Sequence, residues 1–342
     1  MTVIRAWADD AAAVNVLLRA IWGDDPTLEL FATTPGPDRD DPGSFRRSLC
    51  AVDDGGTLVG VGTLWENGLH PSAWRVTIHV ATPWRRQGIG SRLFEALTAL
   101  APEPKPLGSG TRETDRGGCG FLAAHGFEPV MRTRRGVFSP SDIPAELLAE
   151  LAAAQARVLA AGYQFVTLPE AMRRGIGRRE IARLHVEVYW DAHAWNRPRP
   201  VSEVEAEMIF LDEDDLLPGE MHLALDGTRP VAVASLRRSA LAEERELGWA
   251  GVGSDVAAPG SDLAFAVVGR CLAQATAAGW RLRFEADEGD TWWWRLLNRI
   301  PARLEDDWLN FRRRSPRAMP RLRRAAPGVS PGVGGSGLSP MR

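Results

Sequence analysis

Two arginines and two glycines at fixed spacing carry the clearest chemistry in this chain. Arg85, Arg86, Gly88 and Gly90 stand in the run VATPWRRQGIGS, from Val80 to Ser91. The run follows a segment that alternates like a strand and opens one with helical periodicity. At such a junction the first backbone N–H groups of the helix lack intrahelical partners and the helix dipole is positive. Glycine at 88 and 90 removes side chains that would block an anion from those amides, and the arginines add charge beside them. A diphosphate is the natural guest. His79, Val80, Arg85, Arg86, Gln87, Gly88, Ile89, Gly90 and Ser91 are its candidate contacts. Two other phosphate loops do not fit: Leu93 stands where a dinucleotide fingerprint needs glycine, and no Gly-Lys-Ser/Thr follows. A second run, Arg173-Arg174-Gly175-Ile176-Gly177, comes after a loop in a different context and reads as a turn.

The elements that must position this loop alternate strand and helix. TVIRAW reads as a strand and Ala11 to Trp22 as a helix with Val14, Leu17, Leu18 and Ile21 on one stripe. SLCAV and LVGVGTLWE form a hairpin about Asp53-Asp54-Gly55-Gly56. SAWRVTIHV places Trp74, Val76, Ile78 and Val80 on one face, with Arg75, Thr77 and His79 on the other. A helix over Gly88–Leu100, a short helix over 116–126 and a strand FEPVMRTRRGVF follow. Ser141 to Ala161 reads as a linker helix, after which the order restarts: strand YQFVTL, helices 178–192 and near 202–210, a hairpin, strand ELGWAGV, helix 261–278, strand RLRFEA and helix 291–299.

The restart is an internal repeat without gaps. An offset of 172 carries Asp54-Gly55 onto Asp226-Gly227, Val80 onto Val252 and Gly88 onto Gly260. It also turns Arg85 into Ala257, Arg86 into Ala258, Gln87 into Pro259 and Gly90 into Asp262. Two charges and one N–H donor are lost, and the carboxylate of Asp262 is placed to cap the free amides itself. The second copy is expected not to bind a donor anion. The expected organisation is a first domain over 1–140, a linker helix over 141–162, a degenerate second domain over 163–311 and a disordered basic tail over 312–342.

On these residues the chain resembles the GNAT superfamily of N-acetyltransferases. Arg85-x-x-Gly88-x-Gly90 between strand and amphipathic helix is similar to its motif A, and Phe121-Leu-Ala-Ala-His125-Gly126-Phe127 to its later F-x-x-x-x-G-F helix end. Both copies are similar to that fold in their order β-α-α-β-β-β-α-β-α-β, and the two together resemble bacterial tandem-GNAT proteins. The resemblance implies a mixed α/β fold of two GNAT-like domains, with acetyl-CoA or another acyl-CoA as co-substrate and no metal. It implies pantetheine along residues 74–81, pyrophosphate on the amides of 85–91, and acyl transfer straight to an amine on a small molecule or a protein. Such enzymes often carry a glutamate where Thr77 stands and a tyrosine acid where Leu122 stands; the only tyrosines here are Tyr163 and Tyr189. The remaining candidates for a base are His79, whose imidazole titrates near neutrality, and Glu66 at the end of the preceding strand. An amine that arrives neutral needs neither. A non-catalytic acyl-CoA-binding or regulatory protein is the competing reading. Acceptor selection would fall to loops 23–47 and 66–72.

Composition bounds the remainder. The 342 residues suit roughly two domains, and 44% hydrophobic with 25% charged residues exclude wholesale disorder. No apolar run spans a bilayer and the N-terminus lacks a signal pattern, so a cytoplasmic protein without membrane contact is expected. Cys50, Cys119 and Cys271 are far apart and form neither a disulfide framework nor a cysteine zinc site. All 44 acidic residues lie before Trp308, whereas Arg312, Arg313, Arg314, Arg317, Arg321, Arg323, Arg324 and Arg342 lie beyond. The body is acidic and the tail basic. The tail's prolines and GVGGSG run cannot build a core, and it has no aromatic residue after Phe311, which argues against a stacking platform for nucleic acid. Trp292, Trp293 and Trp294 are expected to pack, or to lie over an interdomain groove.

Overall fold

The computed structural model describes residues 2–23, 34–212, 214–239, 241–257 and 261–314. The first repeat runs β1 (Val3–Ala6), α1 (Ala11–Trp22), β2 (Arg46–Val52), β3 (Leu58–Glu66), β4 (Trp74–Val80), α2 (Ile89–Ala99), β5 (Leu107–Arg112), α3 (Arg116–Ala124) and β6 (Glu128–Phe138). A helix α4 (Ala145–Ala160) leads to the second: β7 (Gln164–Thr167), α5 (Leu168–Arg173), α6 (Arg178–Ala192), α7 (Glu203–Phe210), β8 (Leu216–Asp226), β9 (Arg229–Arg238), β10 (Glu244–Val252), α8 (Asp262–Ala278), β11 (Arg281–Asp287), α9 (Thr291–Leu297), β12 (Arg303–Leu304) and β13 (Trp308–Arg313). This is a mixed α/β architecture; from the three-strand meander onward both repeats run strand-strand-strand-helix-strand-helix-strand, whereas between the first two strands the second repeat has three helices and the described part of the first has one.

All the strands share one sheet, ordered β1-β2-β3-β4-β5-β13-β6-β11-β10-β9-β8-β7, with β12 beside β6. The two repeats exchange strands. β13, from the far end of the chain, lies antiparallel between β5 (Trp308 opposite Arg112, Arg313 opposite Leu107) and β6 (Arg312 opposite Glu128). The other half of β6 leaves the first repeat and pairs with β11, Thr133 opposite Asp287 and Phe138 opposite Leu282. Arg312 and Arg313, assigned to the tail from the sequence, therefore end a strand; residues 315–342 lie outside the described residues.

Each face of the sheet is covered by the helices whose periodicity demands it. On one face of the first repeat, Val14, Leu17 and Leu18 of α1 bury against Cys50 and Val61. On the other, Phe94 and Leu97 of α2 pack with Leu64, Trp74 and Val76, and Phe311 of β13 joins the same cluster. α4 is more than a connection. Its Leu147, Leu151 and Val158 enter the core of the second repeat with Val267, Cys271 and Ala275 of α8. The approach is close enough that a Cβ on Gly269 would sit 2.5 Å from the Gln155 amide.

Candidate active site

β4 and β5 run parallel but hold together only where Trp74 faces Leu107 and Arg75 faces Gly108. Beyond that point they part and leave a cleft of about 440 Å³ lined by Trp22, Thr77, His79, Gly88, Ser109 and Phe121 among others. Antiparallel alternation aims the peptide groups along its edge. The Ala81 N–H donates to the Val59 carbonyl at 2.9 Å, so odd-numbered residues of β4 bond β3, whereas Val76, Ile78 and Val80 turn their backbone groups toward the split. Ser109 Oγ donates to the Val76 carbonyl (2.8 Å) and Arg85 Nε to that of Val80 (3.0 Å).

The loop at the mouth of the cleft is shaped by its chirality. Arg86 and Gly88 have φ of +64° and +77°, left-handed conformations that bend the loop sharply just before α2. A Cβ on Gly88 would meet nothing within 4 Å, so glycine serves the left-handed conformation there, not crowding. Gly90 is different: a Cβ would sit 3.2 Å from Phe121. Arg86 is exposed and makes no hydrogen bond or ion pair among the described residues. Gln87 is engaged with the Pro83 carbonyl (3.1 Å), and Ile89 is buried in the core. Ser91 Oγ lies 3.1 Å from Nε2 of His125, a cleft residue the loop motif does not point to.

His79 and Glu66 are not brought together. His79 lies on the α1 face, 8% exposed, where Trp22 Nε1 donates to its Nδ1 at 3.4 Å. Burial, reinforced by Arg85 and partly opposed by Asp115, lowers its pKa to about 4. Its titration therefore falls well below the neutral range expected from the sequence. Glu66 pairs with Trp74, at the opposite end of β4, and its side chain leaves by the other face. There it accepts from Lys105 Nζ (3.0 Å) and from the Gly43 N–H (3.0 Å). Expecting Glu66 in the cleft is thus corrected: it braces loop 41–45 and Lys105. Replacing Glu66 with Gln should lower the melting temperature slightly and leave turnover unchanged.

Other cleft groups escaped the sequence reading. Asp115 caps α3, its Oδ1 accepting from the Gly118 N–H (2.9 Å) and its Oδ2 from Thr111 Oγ1 (3.1 Å). A capping signal was available in the Asp-x-x-Gly spacing; its place in the cleft was not. Leu122, where a tyrosine acid would stand, is 5% exposed and belongs to the apolar core. Burial and the nearby carboxylates of Asp115 and Glu113 push the Cys119 thiol up, against a nucleophilic role. Loop 66–72 contributes His70, whose Nε2 lies 2.7 Å from the Tyr189 hydroxyl of α6; residues 24–33 of the other acceptor loop lie outside the described residues.

His70, His79 and His185 all have pKa values near 4 through burial. Their unfolded values are near 6.5, so the folded chain excludes protons that the unfolded chain accepts. The stability this preserves is complete above about pH 6.5 and is lost as pH falls toward 4. Denaturant midpoints should accordingly fall between pH 7 and pH 5, and His79→Gln should shrink that drop.

In the second repeat β10 and β11 also part, after Leu247 and Phe284. A bulge between Gly248 and Gly251 places Trp249 at φ +50°, and Trp249 packs on Tyr189 and Phe210. Asp262 does not cap α8, as its position suggested. The N-cap is Ser261, and Asp262 turns out to Arg157 of α4 with two contacts of 2.7 Å. Ala258, Pro259 and Gly260 lie outside the described residues. Trp293 is buried and donates to the Glu285 carbonyl, Trp294 lies under Arg134, and Trp292 packs on Phe265. All three are packing residues.

Residues 14–127 match the model of the acetyltransferase (GNAT) family. No curated protein sequence matches the chain. Among solved structures, a GCN5-related N-acetyltransferase from Sphaerobacter thermophilus is similar over 92% of this chain and 96% of its own, with TM-score 0.59 and 18% identity. A tandem GNAT protein from the clavulanic acid biosynthesis pathway is similar over 92% and 98%, with TM-score 0.57 and 15% identity. At these identities the likeness is one of fold, and it spans both repeats. Among the described residues no helix is long and apolar enough to cross a membrane, and no group of three or more His, Cys, Asp or Glu is placed to hold a metal.

Proposed function

We propose that this protein is an N-acyltransferase that moves an acetyl or other acyl group from acyl-CoA directly to an amine in the cleft of the first repeat. The observation that carries this reading is the parting of β4 from β5 with a sharply bent, glycine-bearing loop at its mouth, ahead of the N-terminus of α2. That geometry suits a long thioester with a diphosphate at one end. The N–H groups around Gly88 and the Arg86 guanidinium would take the diphosphate, and the cleft-facing peptide groups of Ile78 and Val80 the pantetheine amides. The acyl group would then lie near Thr77 and His79, beyond the reach of bulk water behind Trp22.

Acyl transfer needs the amine held against the carbonyl and its proton removed. His79 is neutral at physiological pH, and the Trp22 indole on its Nδ1 fixes the tautomer with the proton on Nε2. At 3.4 Å that bond is long. An ammonium has no lone pair, so the acceptor attacks as the neutral amine, one of its N–H groups taking the place of the indole on Nδ1. Addition to the thioester carbonyl makes the amine nitrogen far more acidic, so a base as weak as His79 suffices to take its proton; the C–S bond then breaks and CoA leaves as the thiol with that proton. His79→Gln should lower turnover by roughly 10²-fold or more without changing donor affinity. The imidazole limb of the pH–rate profile should lie near pH 4 and vanish in the variant. A wild-type limb near 6.5 that persists in His79→Gln would exclude this role.

The apolar Leu122 and the hydroxyl of Thr77, where the family often has an acid and a base, favour the second reading, a protein that binds acyl-CoA without turning it over. The two separate on one assay. An enzyme releases free CoA thiol from acetyl-CoA when amines are supplied. Binding of acetyl-CoA without amine-dependent release across a broad panel would overturn the enzymatic reading. Under either reading the second repeat, which lacks the Arg-x-x-Gly-x-Gly run, should take no donor. Calorimetry with acetyl-CoA should find one site per chain, abolished by Gly90→Asp; a site surviving that change would place binding elsewhere.

A further inference from the structure

Arg75, Thr77 and His79 share one face of β4, and by strand geometry Arg75 lies ~13 Å along it from His79. The floor beside them is kept low by glycine. A Cβ on Gly108 would fall 2.8 Å from Arg75 Nη1, and one on Gly110 would fall 2.4 Å from Trp308 Nε1, so these two long side chains lie flat across β5. Arg75 makes no hydrogen bond or ion pair among the described residues. Its neighbour Arg312 of β13, opposite Gly108, donates among the described residues to the Ser72 hydroxyl alone, at 3.3 Å. Glu128 faces Arg312 across the ladder and makes no ion pair with it. Trp65 Nε1, on the residue paired with Arg75, is a buried donor without a partner.

A half-buried guanidinium without a carboxylate, held beside a second one, is an arrangement folding alone does not favour. Desolvation and Arg312 both act against its charge and lower its pKa to about 10. An anion would supply the missing counter-charge, and the indole N–H of Trp65 would add a donor. Resting on the acyltransferase reading, we propose that the acceptor is an amine whose far end carries a carboxylate or phosphate, held by Arg75 and Arg312 while the amine reaches His79. The span is that of an extended linker, too long for an α-amino acid. The second repeat then completes the acceptor site by way of β13.

The test is calorimetric and needs no turnover. Protein saturated with CoA is titrated with ω-aminocarboxylates of four to ten carbons, the matching primary amides, and the matching ω-aminoalkyl phosphates. At ~1.2 Å per bond, chains near eight carbons should bind best. The carboxylates or the phosphates should bind at least about tenfold more tightly than the amides, and whichever does so names the anion. Arg75→Gln should erase that difference with acetyl-CoA affinity unchanged, and Arg75→Lys should retain part of it. Equal affinity for charged and amide forms in the wild type overturns the proposal, as does an equal loss of both in Arg75→Gln. If acyl transfer fails with every amine while the charged chains still bind through Arg75, the enzymatic reading falls and the anion site stands.

Discussion

Ending the chain after Asp307 should abolish acetyl-CoA binding and the cooperative unfolding transition, whereas ending it after Arg314 should change neither. The first truncation removes β13, which is hydrogen-bonded on both sides, to β5 and to β6. It also removes Phe311, 5% exposed in the cluster with Phe94, Leu97 and Trp74, and Trp308, which packs beside Trp22. Loss of one buried phenylalanine alone typically costs about 3–5 kcal/mol, a large part of a domain's stability. Here two ladder edges would be exposed as well, and β5 is one wall of the cleft. Denaturant unfolding followed by tryptophan fluorescence, with calorimetry for the donor, decides the matter. A protein ending at Asp307 that still unfolds in one transition and binds acetyl-CoA would show that the strand exchange is dispensable.

That exchange marks the boundary of what a sequence can disclose. The gapless offset of 172 makes the repeat visible, and alternation through Trp74–Val80 separates the His79 face from the core face on residue types alone. The loop from Arg85 to Gly90 is legible because its spacing is local. Which strand lies beside Trp308–Arg313 is not, since that ladder joins residues some 200 positions apart and six residues of strand pattern suit any edge. Glu66 shows a subtler limit. Extending the hairpin register from Gly60 opposite Val80 places it opposite Trp74, on the far face, yet sequence proximity to β4 makes it look close to His79. The depressed basicity of His79 depends on burial, and secondarily on the approach of Arg85, that only the folded chain creates. Asp262 has a residue type suited to capping, and a competing partner, Arg157, reached it from another helix.

Gly88→Glu should reduce acetyl-CoA affinity by more than about 100-fold, by two separable routes. The backbone at 88 has φ +77°, where an L side chain costs roughly 1–2 kcal/mol. Because no atom lies within 4 Å of the position a Cβ would take, the strain is conformational and not steric. The second route is electrostatic: a carboxylate at the start of α2 would compete for the free amides of the helix N-terminus and repel the diphosphate. Gly88→Asn isolates the first, since asparagine tolerates the left-handed region and carries no charge. It should weaken binding several-fold, with most of the loss in the glutamate variant arising from charge. Raising ionic strength should accordingly recover part of the affinity of Gly88→Glu relative to Gly88→Asn, because screening weakens the added repulsion. A folded Gly88→Glu protein with wild-type affinity would remove the loop from the donor site. Equal losses in the two variants would make shape, not charge, the reason glycine stands there.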